Sequence, residues 1–205
     1  MIVAGIDEAG YGPLLGPLVV GCCAFDLGPL APAEQIPCLW KRLSKLVSKT
    51  RLASGRKLHI NDSKLVYSPA GGLKELERSV LAMLCASGDM PADLAATLGR
   101  IADHVLAELA DYPWYRAAEN ERFPLEQPSL PIQIFANALR AEMRRTQTQC
   151  VYLAARIVLE RRLNRLIHAT RNKASVLFSV TAIHLDHLLR TFGDRPMTIF
   201  CDRQG

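Results

Sequence analysis

Two short apolar runs in close succession near the start, with helical and strand-like patterns alternating after them, predict an α/β protein built on a mixed sheet flanked by helices. A further observation sharpens this expectation: the first and last strand-like runs each end in an acidic residue. The 205 residues suit a single domain over the whole chain, long enough to bury a core without disulfides or a structural metal.

Residues 2–6 are apolar and β-branched and run into Asp7-Glu8-Ala9-Gly10-Tyr11-Gly12-Pro13, whose glycines and proline end a regular element. That is a strand followed by a loop. Residues 18–25 (LVVGCCAF) are apolar almost throughout, which predicts a strand central in its sheet. Apolar residues recur at helical spacing over 39–52, 73–84, 93–109 and 132–145, whereas 112–131 holds four prolines and no sustained period and reads as loop. Residues 150–159 (CVYLAARIVL) read as a strand, although a helix starting before Glu160 would use many of the same residues. An amphipathic helix over 175–192 is ended by Gly193 and Pro196, and the strand 197–201 (MTIFC) then delivers Asp202.

Lys and Arg number 25 against 20 Asp and Glu, a formal charge of +5 that leans toward polyanionic partners. The six cysteines form no C-x-x-C pair and have no histidine at metal-site spacing, which fits a reducing cytoplasm. The first residues carry no basic segment and reach two carboxylates at once, which argues against a signal peptide. No apolar run reaches the roughly 18 residues a membrane span requires, so no membrane partner is expected.

Carboxylates at the ends of buried strands are costly to desolvate unless paired or bound to metal. If the first and last strands are parallel neighbours, Asp7 and Asp202 come within reach of one ion, and hard oxygen ligands select Mg²⁺ or Mn²⁺ over zinc. On spacing alone, ordinary polar loop residues remain the other reading of Asp7, Glu8 and Asp202.

The stretch Gly5-Ile6-Asp7-Glu8-Ala9-Gly10-Tyr11-Gly12-Pro13, leading into a second apolar strand, resembles the opening signature Asp-Glu-Ala-Gly-Arg-Gly-Pro of the type 2 ribonuclease H (ribonuclease HII) family. Asn61-Asp62-Ser63-Lys64-Leu65 with Ser68 is similar to that family's Asp-Ser-Lys-Lys-Leu-Ser, here with one lysine. A looser likeness runs from the strand at 150–159 through Asn172-Lys173-Ala174-Ser175 to Phe200-Cys201-Asp202. These segments leave out about residues 86–149, which read as a helical insertion.

The resemblance implies a ribonuclease H-like mixed sheet and an endonuclease that cuts the RNA strand of RNA–DNA hybrids, or DNA containing ribonucleotides, to 5′-phosphate and 3′-hydroxyl ends. It implies that Asp7, Glu8 and Asp202 are catalytic and hold two divalent cations, Mg²⁺ or Mn²⁺. It also implies substrate contacts from Gly10, Tyr11, Gly12, Ser63 and Lys64. Tyr11 replaces the family's arginine and offers no guanidinium fork, so it either stacks on substrate or packs in the turn. Ser63 and Lys64 either contact a phosphate or serve as a helix cap and a solvated lysine.

Trp114, Tyr115 and Phe123 either form a platform for bases or pin their loop to the core. His59 reads as an ordinary polar residue. Arg161, Arg162, Arg165 and Arg171 form a basic stretch that either tracks a nucleic-acid backbone or faces solvent. The family's fourth carboxylate follows the third, beyond another strand and helix, and Gly205 comes three residues after Asp202, so the C-terminal part of the family fold is expected to be missing. The rival expectation is a non-catalytic hybrid-binding protein or an inactive fragment. An aspartyl-phosphate phosphatase would need Asp-x-Asp where the sequence has Asp7-Glu8-Ala9.

Overall fold

The computed structural model describes residues 1–10, 16–29, 36–118 and 121–202. Its regular elements begin with β1 (Ile2–Ala9), β2 (Leu18–Asp26), α1 (Leu39–Arg42), β3 (Val47–Ser48), β4 (Leu58–His59), α2 (Ser63–Val66) and α3 (Lys74–Ala86). They continue through α4 (Leu94–Ile101), α5 (Leu106–Leu109), α6 (Ser129–Arg145), β5 (Gln149–Val158), α7 (Glu160–Thr170), α8 (Lys173–Phe192) and β6 (Met197–Cys201). The chain divides into two compact units, one of Met1–Leu30, Leu98–Arg116 and Gln149–Gly205, the other of Ala31–Thr97 and Ala117–Thr148.

The first unit is built on a four-stranded mixed sheet in the order β5-β2-β1-β6. β2 runs antiparallel to both β1 and β5, and β6 runs parallel to β1. Alternate residues share a face of a strand, so Ile2, Ala4 and Ile6 join Leu18, Val20, Cys22 and Ala24 in one buried layer. Leu177, Val180 and Leu188 of α8 complete it. Leu177 is wholly buried, and truncating such a side chain to alanine costs about 2–5 kcal/mol.

The buried face of α8 also carries a histidine. On the buried stripe Val176, Val180, His184, Leu188 of α8, His184 is fully enclosed. Its Nε2 bonds to the carbonyl of Val20 at 3.0 Å and its Nδ1 lies 3.2 Å from the Tyr152 hydroxyl. With Nε2 protonated, Nδ1 accepts from Tyr152, so both ring nitrogens are satisfied by the neutral tautomer. Burial pushes the pKa of His184 down from its ordinary value, with nearby Arg156 adding to the effect.

The second unit centres on α3 against α6. Leu81, Leu84 and Cys85 of α3 are buried, as are Ile132, Ala136, Leu139 and Met143 of α6 at helical spacing. The Arg140 guanidinium donates to the carbonyls of Cys85 at 2.5 Å and Ala86 at 3.1 Å in the last turn of α3. Arg42 of α1 likewise donates to the Thr146 carbonyl just past α6.

The predicted helix over 39–52 is instead the single turn α1 followed by the strand β3, because Val47 pairs with Leu58 in parallel register and both are buried. The basic residues of this stretch give a longer helix little apolar face to bury. The predicted helix over 93–109 breaks at Ala102 (φ −156°, ψ 44°) into α4, a 3₁₀ turn and α5. Its apolar set survives the break, since Leu98, Ala102, Val105 and Leu109 are all buried. The break also places His104 so that its Nε2 accepts from the backbone N–H of Ile157, 3.2 Å away on the sheet-edge strand β5.

Candidate functional site

β1 does not stop at Ile6. Antiparallel pairing with β2 carries it to Ala9, with Asp7 opposite Gly21 and Glu8 opposite Val20, so both acids stand on hydrogen-bonded strand backbone and not in the expected loop. β6 pairs with β1 in parallel as far as Cys201 opposite Ile6, and the Asp202 N–H still donates to the Ile6 carbonyl at 3.3 Å. β6 therefore ends beside Ile6, and Asp202, the next residue, comes alongside the Asp7-Glu8 stretch of β1.

The outcome is a cluster in which Asp7, Glu8 and Asp202 each offer an oxygen, all three oxygens lying within 4.8 Å of one another. Asp7 and Asp202 are exposed and Glu8 is half-buried. One oxygen of Asp7 also accepts the Glu8 backbone N–H at 2.8 Å, which restrains its rotamer. Like charges at such separations repel by about 1 kcal/mol per pair in a water-like medium and by more as the surroundings dry, so a cation among them relieves real strain. Three carboxylate oxygens are a hard donor set, suited to Mg²⁺, Mn²⁺ or Ca²⁺ and poorly suited to a thiophilic ion. Asp186 is engaged by Arg190 at 2.7 Å, and Asp194 precedes β6, at the opposite end of that strand from Asp202.

Gly10 follows β1 with φ +81°, a conformation other residues avoid, and a Cβ there would lie 2.0 Å from the Pro17 carbonyl oxygen. Glycine at this position is thus demanded by the return of the chain into β2. Tyr11 and Gly12 lie outside the described residues.

Ser63 and Lys64 belong to the second unit, exposed on the short helix α2. The cap of that helix is Asp62, whose carboxylate accepts the Lys64 N–H at 2.8 Å, so the Ser63 hydroxyl is not the capping group. His59, in the same unit, is buried, with Nε2 on the Lys49 carbonyl at 3.1 Å.

Trp114 and Tyr115 lie in the first unit and Phe123 in the second. Tyr115 donates to Glu160 at 2.5 Å, and burial together with that carboxylate raises its pKa to about 12. Trp114 packs edge-on to the buried Tyr112, which also carries the guanidinium of Arg161 over its ring. Tyr112 drew no attention in the sequence, because its role depends on α7 being folded back within reach. Arg162 pairs with Glu108 at 3.5 Å, so two arginines of the basic stretch make local contacts. No described helix is long and apolar enough to cross a membrane.

A mixed sheet whose adjacent parallel strands end in clustered carboxylates defines a candidate divalent-cation centre. Among curated proteins, the chain is similar to a ribonuclease HII of Gluconobacter oxydans (strain 621H), with 33% identity over 84 residues. Those residues make up 41% of this chain and 39% of that enzyme, so the chain spans well under half the length of the relative it matches. No family model matches the chain, and no solved structure matches it.

Proposed function

We propose that the chain is a divalent-cation-dependent endoribonuclease acting on the RNA strand of RNA–DNA hybrids or on DNA that contains ribonucleotides. The observation that carries this reading is the convergence of three carboxylate oxygens within 4.8 Å at the ends of β1 and β6. The partial likeness to a ribonuclease HII supports the choice of substrate.

Asp7, Glu8 and Asp202 would hold the cations, and their strand-borne backbones fix the donors before substrate arrives. A pair of Mg²⁺ or Mn²⁺ ions, when bound, supplies activation of water and stabilisation of the leaving 3′ oxygen. The exposed Asp7 and Asp202 leave the centre accessible from solvent, as entry of a phosphodiester requires. We assign Gly10, Tyr11 and Gly12 to the ribonucleotide, and the Ser63 hydroxyl and Lys64 ammonium to backbone phosphate. Products would carry 5′-phosphate and 3′-hydroxyl ends.

The test is cleavage of an RNA–DNA hybrid labelled on its RNA strand, with Mg²⁺ or Mn²⁺ and with EDTA. Cation-dependent cuts within the RNA and none in a plain DNA duplex are expected. Absence of cleavage with either cation, or cleavage that EDTA does not stop, contradicts the proposal.

A further inference from the structure

The second unit contains a cleft of about 400 Å³, a volume typical of small-ligand sites, remote in sequence from the carboxylate cluster. Four cations line it, Arg51, Lys57, Lys74 and Arg78, against one carboxylate, Glu75. Glu75 is buried and is shared by two of them, Arg78 one helical turn away and Arg51 at 3.8 Å. One buried carboxylate cannot neutralise four cations, so the cleft keeps a formal charge of +3.

The remaining donors have capacity to spare. Among the described residues the Lys74 ammonium has no hydrogen bond or ion pair, and Lys57 spends one of its three donors on the Ser44 carbonyl at 2.5 Å. The Arg51 side chain is 65% exposed and free to turn. Arg78 is held firmly, its side chain 13% exposed and its guanidinium lying over the Phe135 ring, yet its buried Nε has no partner. Concentrated positive charge and two guanidinium groups match a tetrahedral oxyanion carrying two negative charges.

We propose that this cleft binds a phosphoryl group through Arg51, Lys57, Lys74 and Arg78. Glu75 orients the two guanidinium groups and is not itself a ligand. The site does not depend on the carboxylate cluster or on nuclease activity. The phosphoryl group comes either from a free phosphate or phosphomonoester or from the backbone of a nucleic acid.

The experiment is titration of the whole chain with inorganic phosphate in EDTA, followed by calorimetry and ³¹P line width, with chloride holding ionic strength constant. Saturable binding at one site is expected. Substituting Arg51→Gln and Lys74→Gln together, both on exposed side chains, should weaken it at least about tenfold. Arg144→Gln, an exposed change of the same charge on α6, should leave it unchanged. Absence of saturable binding at tens of millimolar phosphate overturns the proposal, as does equal weakening by Arg144→Gln. A DNA duplex titrated over a salt series identifies the source. If log affinity falls less steeply with log salt in the double variant, by roughly one to two in slope, the phosphoryl group is that of a nucleic-acid backbone. An unchanged slope alongside lost phosphate binding assigns the cleft to free phosphate or a phosphomonoester. Failure of hybrid cleavage would leave every one of these results standing.

Discussion

Each unit of this molecule holds a distinctive set of acidic residues, and the two sets are handled in opposite ways. In the second, Glu142 of α6 is buried and is held bidentately by Arg145 of the same helix at 2.8 and 2.6 Å, and Glu75 has Arg78 beside it. In the first, Asp7, Glu8 and Asp202 are gathered against one another at the ends of two strands. A carboxylate with an arginine one turn away is the solution a fold adopts for structural reasons. A cluster of like charges is a cost to folding, which under the proposed function a bound cation would offset.

The largest expected effect tests that contrast on activity. Asp7→Asn keeps the shape of the side chain but removes a charged cation ligand, and should lower the rate of hybrid cleavage at least about 100-fold. Glu142→Gln removes a carboxylate charge that is paired with an arginine and should leave the rate within about twofold. Similar losses in both variants would erase the distinction.

The next two effects concern stability in the unit that carries the cluster. His184→Leu strands the Val20 carbonyl and the Tyr152 hydroxyl inside the sheet–helix layer, and chemical denaturation should show a loss of about 1–3 kcal/mol. Its folded pKa is depressed, so below the unfolded value of 6.5 the unfolded chain takes up the proton more readily. The wild-type chain should therefore lose stability as pH falls through that range, and the variant should lack this contribution. Gly10→Ala imposes a side chain at φ +81° against the Pro17 carbonyl and should cost more than about 1 kcal/mol in the same assay.

The smallest effect falls on the other side of the comparison. The Arg145 guanidinium holds the Glu142 carboxyl below its ordinary pKa. Its contribution is then complete above the unfolded carboxylate value and fades as pH falls through the folded one. Because Arg145 is more than half exposed, Glu142→Gln should cost at most about 1 kcal/mol at neutral pH. Melting curves across the acid range should show a shallower decline for the variant.

The sheet was readable because its strands are defined by their own residues. Short apolar runs at 2–6 and 18–25, and another before Asp202, mark elements that need no distant partner to be recognised. Their ends bear the cluster, so three of the site residues came with them. The parallel register of β1 and β6 that unites the cluster is a tertiary fact, and only the expectation that the two strands are neighbours anticipated it.

The second unit was harder to read. Val47 and Leu58 each contribute one buried residue to a two-residue ladder, too little to outweigh the helical spacing over 39–52. In the first unit His184 was likewise hidden, in an apolar stripe where its neighbours announce a helix face and nothing announces a partner on β5. The basic cleft draws on residues from Arg51 to Arg78, and no local pattern joins them until α3 and the segment before it are folded.

The central claim is that Asp7, Glu8 and Asp202 act together as a cation site, and the most direct measurement is Mn²⁺ binding followed by electron paramagnetic resonance. The wild-type chain should bind Mn²⁺ saturably, and Asp7→Asn and Asp202→Asn should each weaken binding at least about tenfold while Glu142→Gln does not. Equal Mn²⁺ affinity in the wild type and in both aspartate variants would contradict the account.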